Sequence, residues 1–172
     1  MAQKETSDGI VKSPSKIVEK YFDMVYRLAR RIAGQDKADD AVQNVFVRYM
    51  KHYTEFTDEE HIKAWLIRVT YNCCNSELKN SWTEKTTGIP EDEERNRAFV
   101  VDMPFDAKEE ENELTNAVNR LPSKYRTVIH LYYYEEYSTK EIADITKQKE
   151  TTVRSLLARG RRRLENIMKE GR

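Results

Sequence analysis

The chain has 172 residues, enough for one domain of ordinary size or two small ones. Charged residues make up 35% and hydrophobic residues 38%, which is lean for one large core and workable for small helical bundles. No apolar run approaches the ~20 residues that span a bilayer, and the start "MAQKETSDGIVKSPSK" lacks a signal peptide's apolar stretch, so membrane insertion is excluded and a cytoplasmic protein expected.

Thirty basic and thirty acidic side chains cancel, but not evenly along the chain. Residues 1–82 carry net +1, residues 83–111 net −6 and residues 112–172 net +5. A neutral, an acidic and a basic block point to three segments with different jobs. Only five glycines and four prolines favour helices over turn-rich sheet.

Ser15 is expected to cap a first helix. Val18, Tyr21, Phe22, Val25, Ala29 and Ile32 recur at three- and four-residue steps and mark its apolar face. Gly34 ends it. A second helix is expected from Asp36, with Asp36 and Asp39 as a capping box. Its apolar stripe is Ala38, Val42, Val45, Phe46, Tyr49 and Met50, and its polar face holds Asp39, Asp40, Gln43, Asn44 and Arg48. The polar stretch "KHYTEFTDEEH" follows, with a second capping box at Thr57 and Glu60. A third helix then presents Ile62, Trp65, Leu66, Val69 and Cys73 on one face and runs to about Lys79. Cys73 and Cys74 are too close in sequence to pair readily and read as thiols near a helix core. No metal-ligand spacing surrounds them, so no metal or cofactor is expected.

The period is lost over 80–110, where most of the acidic excess lies; this is read as a linker. Beyond it, Leu114, Ala117, Val118 and Leu121 form one helical face, and Pro122 stops that helix or begins the next. "SKYRTVIHLYYYEEYS" is helical by the spacing of Val128, Ile129, Tyr132 and Tyr133. His130 within it is a packing or surface residue.

Ser138 and Glu141 form a third capping box and open a short helix over 139–146, with Ile142, Ala143 and Ile145 inward. "TKQK" breaks it. The next helix starts near Glu150, with Val153, Leu156, Leu157, Gly160, Leu164, Ile167 and Met168 inward. At about 100° per residue the opposite face carries Thr151, Ser155, Ala158 and Arg162, flanked by Arg154 and Arg159. This is the layout of a helix-turn-helix, whose second helix lies in the DNA major groove. The small residues Thr151, Thr152, Ser155 and Ala158 allow close approach to bases. The arginines suit phosphates or guanine edges, and the run at 161–163 adds phosphate contacts. No phosphate loop, paired-carboxylate set or nucleophile motif competes, so an enzyme is not expected.

Four stretches in this order carry a resemblance: "DKADDAVQNVF" (36–46), "AWLIRVTYN" (64–72), "LPSKYRTVIHLYYYEEYSTKEIADI" (121–145) and "TTVRSLLARGRRRL" (151–164). Together they resemble a bacterial RNA polymerase sigma factor of the extracytoplasmic-function (ECF) type, in the sigma-70 family. The resemblance implies an all-α chain of two small helical domains: an N-terminal helix bundle at 15–80 and a C-terminal helix-turn-helix domain at 109–170. An acidic flexible linker at 81–108 joins them and threads the RNA-exit path of the polymerase. It implies that Asp39, Asp40, Gln43 and Asn44 dock on the clamp of the β′ subunit. His52, Tyr53, Phe56, Asn72 and Lys79 serve the promoter minus-ten element. Thr151, Thr152, Arg154, Ser155, Ala158, Arg159 and Arg162 read the minus-thirty-five element, and the C-terminal domain rests on the β flap. The implied partners are core RNA polymerase, promoter DNA and an anti-sigma factor, with no membrane insertion.

The chain departs from the family pattern in two places. Ser76 stands where an aspartate is usual, Tyr71 where arginine is common, and Lys79 is the one base nearby, which thins the phosphate contacts expected at the minus-ten element. Lys147 takes a turn position that usually offers glycine, Gln148 a half-buried slot, and Lys149 the place of a capping Ser or Thr. Alternatives stay open: a helix-turn-helix regulator that works without polymerase, or a sigma-like decoy. Trp65 reads as core or as a DNA contact; Tyr53 and Phe56 as base-capturing or as pins for the loop; Asp39 and Asp40 as docking groups or as charges that favour a helix N-terminus.

Overall fold

The structure, a computed structural model, describes residues 13–53, 56, 58–84 and 112–171, with side chains in the third helix described through Ser76. Among these residues all regular structure is helical, in agreement with the all-α expectation: α1 (Pro14–Ala33), α2 (Gln35–His52), α3 (Glu59–Glu84), α4 (Glu113–Asn119), α5 (Ser123–Ile129), α6 (Thr139–Thr146) and α7 (Glu150–Glu170).

α1, α2 and α3 pack mutually into the first bundle. Gly34 makes the corner between α1 and α2 at φ +83°, its N–H bonded to the Arg30 carbonyl at 3.0 Å and its own carbonyl accepting from Ala38 at 3.2 Å. A side chain there would be strained, which is why the chain has glycine. Helix starts differ from expectation by a residue or two. α1 opens at Pro14, whose fixed φ suits a first turn, and Ser15 lies inside it. α2 opens at Gln35 with no side-chain cap, so the Asp36–Asp39 box does not form. Thr57 lies outside the described residues. Asp58 does the capping of α3, its Oδ1 accepting the His61 N–H at 2.7 Å. At the same end Glu59 takes the Tyr21 hydroxyl at 2.6 Å and pairs with Lys20, tying α3 to α1.

α3 is buried over a wider arc than one stripe. Ile67, Thr70 and Cys74 join Ile62, Leu66, Val69 and Cys73 in the interior. The reason is its position: α1 and α2 cover one side and α6 packs on another. Cys73 and Cys74 are buried and form no disulfide.

Asn112 caps α4, its Oδ1 accepting the Thr115 N–H at 2.8 Å. Leu114 was expected inward, but it is 47% exposed and Thr115 is buried in its place. Pro122 precedes α5 at its N-cap. α5 runs on into a π-helical turn over His130–Tyr134. The extra residue in that turn rotates the tyrosines outward: Tyr132 stays half-buried, Tyr133 is 53% exposed, and His130 is buried.

The Ser138–Glu141 capping box is present, with both reciprocal bonds, at 3.2 and 2.8 Å. The turn that follows places Lys147 in the left-handed region at φ 54°, ψ 39°, as its place in the usual glycine position implies. Gln148 is exposed rather than half-buried, and its backbone N–H bonds back to the Ala143 carbonyl at 3.0 Å. Lys149 caps α7 without a side-chain bond.

The Ser138 backbone N–H, and then its hydroxyl, hold the Glu141 carboxyl below its ordinary range. A depressed native pKa contributes stability above the unfolded value and loses it as pH falls through the native one. Glu141→Ala should therefore cost about 0.5–1 kcal/mol at neutral pH, allowing for exposure. The gap between the thermal melts of the two proteins should narrow as pH falls below the ordinary carboxylate range; a gap that does not change with pH would show that packing, not the box, is responsible.

Candidate nucleic-acid interface

α7 has two unlike sides. Val153, Leu157 and Gly160 are buried, while Thr151, Thr152, Arg154, Ser155, Ala158, Arg159 and Arg162 are all exposed, as their spacing predicts. At Gly160 α7 comes close to α5: a Cβ there would lie 2.9 Å from Ile129 Cδ1 and 3.4 Å from the Tyr125 Cβ. Glu150 braces the two helices of the motif, its Oε1 accepting from the Thr139 hydroxyl and from Arg154 Nη2, both at 2.8 Å. These bonds, the Thr139 hydroxyl first, hold its carboxyl below the ordinary range.

The arginine run divides. Arg161 donates from Nε to the Tyr133 hydroxyl at 2.6 Å and lies 5.5 Å from the centres of the Tyr132 and Tyr133 rings. Arg163 lies 5.1 Å over Tyr125. Both fold back on aromatic rings of their own domain, a favourable cation–π placement. All five arginines are exposed, and the three without such a ring contact, Arg154, Arg159 and Arg162, lie on the same side as the small residues. Sequence spacing set Arg162 apart from Arg161 and Arg163 but did not show that those two meet the rings of Tyr125, Tyr132 and Tyr133.

On the first bundle, Asp39 and Asp40 are exposed and Gln43 and Asn44 half-buried along the outer face of α2. Asp39 also lies near Tyr26: burial first, then the Asp39 charge, raises the Tyr26 hydroxyl's pKa. At the α2–α3 junction the rings form one cluster. Trp65 is central, 5.3 Å from Phe56, 6.3 Å from Tyr49 and 6.2 Å from His52. His61 meets Phe56 edge-on at 5.3 Å. His52 is exposed, Tyr53 and Trp65 half-buried, and Phe56 only 4% exposed. Phe56 therefore pins the junction in this conformation, and His52, Tyr53 and Trp65 offer the accessible surface. His61 was not singled out by sequence; its place three residues after the capping Asp58, which turns its ring onto Phe56, was the only hint. Asn72 is half-buried further along α3, and the Lys79 side chain lies outside the described residues. Among the described residues no cluster of metal-ligating side chains occurs, and no helix is long and apolar enough to cross a membrane.

Comparison with known proteins matches both halves. The family models for sigma-70 region 2 and sigma-70 region 4 match residues 17–84 and 111–164. The chain is 28% identical over 177 residues to the ECF RNA polymerase sigma factor SigW of Bacillus subtilis (strain 168), covering 97% of this chain and 95% of that one. It is 29% identical over 159 residues to SigM of the same organism, covering 91% and 95%. Among solved structures it is similar to the sigma factor RpoE in complex with the anti-sigma factor NepR from Bartonella quintana. The TM-score is 0.68 at 22% identity, over 94% of this chain and all of that one. CnrH in complex with the cytosolic domain of CnrY shares the fold at TM-score 0.57 and 18% identity, over 94% and 91%. Two regions of one family, in order and together over most of the length, show that this chain belongs to the sigma-70 family of RNA polymerase sigma factors, in its ECF branch.

Proposed function

We propose that the chain is a dissociable promoter-specificity subunit: it binds core RNA polymerase, directs it to promoters with two spaced elements and helps open them. One observation carries this. A single chain joins a recognition helix bearing small residues and outward arginines to a separate bundle with an acidic polar face and an accessible aromatic cluster. A plain duplex-binding regulator has no use for the second half, and nothing in the comparisons favours that reading.

In this reading the domains are the bundle at 15–80 and the helix-turn-helix unit at 109–170, joined by the segment at 81–108, most of which lies outside the described residues. Asp39, Asp40, Gln43 and Asn44 meet the β′ clamp. His52 and Tyr53 are the first candidates for base capture at the minus-ten element, because unstacked bases need aromatic walls they can reach. Phe56 supports them from beneath; Asn72 and Lys79 lie further along α3. Thr151, Thr152, Arg154, Ser155, Ala158, Arg159 and Arg162 read the minus-thirty-five element, and the helix-turn-helix domain rests on the β flap. The chain performs no chemistry of its own, works in the cytoplasm beside polymerase, and is a target for an anti-sigma factor.

In-vitro transcription on fragmented genomic DNA tests the proposal. Addition of this chain to core polymerase should produce new RNA 5′ ends that share two spaced elements. The docking face is tested separately. Asp39→Ala with Asp40→Ala and Gln43→Ala should weaken core binding on the order of tenfold or more at unchanged helical content. Affinity equal to the parent's would remove the clamp assignment.

A further inference from the structure

Among the described residues, the non-glycine residues at positive φ both flank α6. Glu136, at φ 58°, precedes it, and Lys147, at φ 54°, ends it. In that region a Cβ crowds the following carbonyl, and glycine holds the same conformation without the clash. Nothing in the fold asks for lysine at 147. The backbone makes the turn: the N–H groups of Lys147 and Gln148 both bond to the Ala143 carbonyl, the second at 3.0 Å. The Lys147 side chain is exposed and has no hydrogen-bond or ion-pair partner among the described residues. A strained residue whose side chain supports nothing in the fold points to a role outside it.

Lys149 repeats the pattern. It takes the N-cap of α7, where serine, threonine, asparagine or aspartate would accept a backbone N–H, and its side chain makes no cap bond. It too is exposed and unpaired among the described residues. The carboxylates of α6 and of the first turn of α7 do not neutralise these lysines. Glu141 is held by the Ser138 box, and Glu150 by Thr139 and Arg154. Asp144 is exposed and pairs with neither lysine.

In a helix-turn-helix the first helix crosses the DNA backbone, and the N-terminal residues of the second meet base edges in the groove. The turn between them is carried to the rim of the groove, where the phosphates lie. Lysine, a point charge on a flexible stem, suits a phosphate better than a base edge. We propose that Lys147 and Lys149 are phosphate-gripping residues of the DNA interface: they neutralise backbone phosphates at the rim of the groove that α7 enters. They position the helix without reading sequence. This role rests on the reading of α7 as the minus-thirty-five reader. Lysine then stands in the turn for the DNA and not for the fold.

The test uses core polymerase loaded with the full chain, and a promoter that the chain selects in vitro, with affinity measured over a range of salt. The variants are Lys147→Gly, Lys149→Ser and the two together. Glycine suits the left-handed turn and serine the N-cap, so each variant should melt at or above the parent's temperature. Each should nevertheless weaken promoter binding, roughly fivefold at about 0.1 M salt, and flatten the slope of log affinity on log salt by about 1, the pair by about 2. Promoter choice and core binding should not change. Lys169→Ala removes the same charge from the far end of α7, where Glu165 pairs with it at 2.6 Å, and should alter neither affinity nor slope. The parent's affinity and slope in the double variant overturn the proposal. So does a melting temperature well below the parent's, which would make the lysines structural, and so does an equal loss from Lys169→Ala, which would reduce the effect to net charge. Arg154→Ala in the same assay separates the two readings. If it alters promoter use while the lysine variants match the parent, only the lysine role falls. If it too matches the parent, the DNA reading of α7 falls as well.

Discussion

Replacing Arg154 and Arg159 together by alanine should lower transcription from the chain's own promoters by about two orders of magnitude. Core polymerase binding should not change. Both side chains are exposed on the face of α7 that also carries Thr151, Ser155 and Ala158. A good bidentate contact from arginine to a base is worth about 1–3 kcal/mol, and about 1.4 kcal/mol, in the lower half of that range, is tenfold for each. The Glu150–Arg154 pair is a surface i,i+4 contact and contributes little to folding, so its loss does not explain a large effect. Run-off transcription at several salt concentrations separates the two kinds of contact. An arginine that reads a base changes which promoters are used; one that only meets phosphate weakens all of them alike and flattens the salt dependence. Unaltered promoter choice at full activity would sink the assignment of α7 as the reader.

The second large effect is on stability. Leu66→Ala should destabilise the first bundle by about 2–5 kcal/mol, a large share of the roughly 5–15 kcal/mol that holds a domain folded. Leu66 is fully buried on α3, the helix that packs against α1, α2 and α6. Arg68→Ala, two residues along the same helix and exposed, should fall within about 0.5 kcal/mol of the parent. Denaturant melts of the two variants make the comparison. Equal effects would mean that α3 is not the packed centre of the bundle.

The position of α3 also shows where sequence reasoning stops. Periodicity identifies one stripe, and Ile62, Leu66, Val69 and Cys73 were read from it correctly. Ile67, Thr70 and Cys74 were not, because a helix packed on more than one side shows no single face. Leu114 and Tyr133 failed in the opposite direction. Both are apolar enough to look internal; yet α4 presents Thr115 to the core, and the π-turn after α5 rotates Tyr133 out. A capping threonine or serine does not select itself either: Asp58 and Asn112 hold the helix ends that sequence left uncapped or placed elsewhere.

By itself the sequence determined the helical class, the division of charge, the capped short helix 139–146 and the outward face of α7. Each of these follows from neighbours within one or two turns, where residue type and spacing act directly. Tertiary structure alone decided that Arg161 and Arg163 lie against tyrosine rings, that Phe56 is core while His52 is accessible, and that Arg31, a charged residue, is among the most buried side chains. Those outcomes depend on partners far along the chain: Tyr132 and Tyr133 for Arg161, Trp65 for Phe56, and Asn119 and Tyr134 for Arg31. A buried charge needs such partners to offset its lost hydration, and no local pattern reports whether distant residues will supply them.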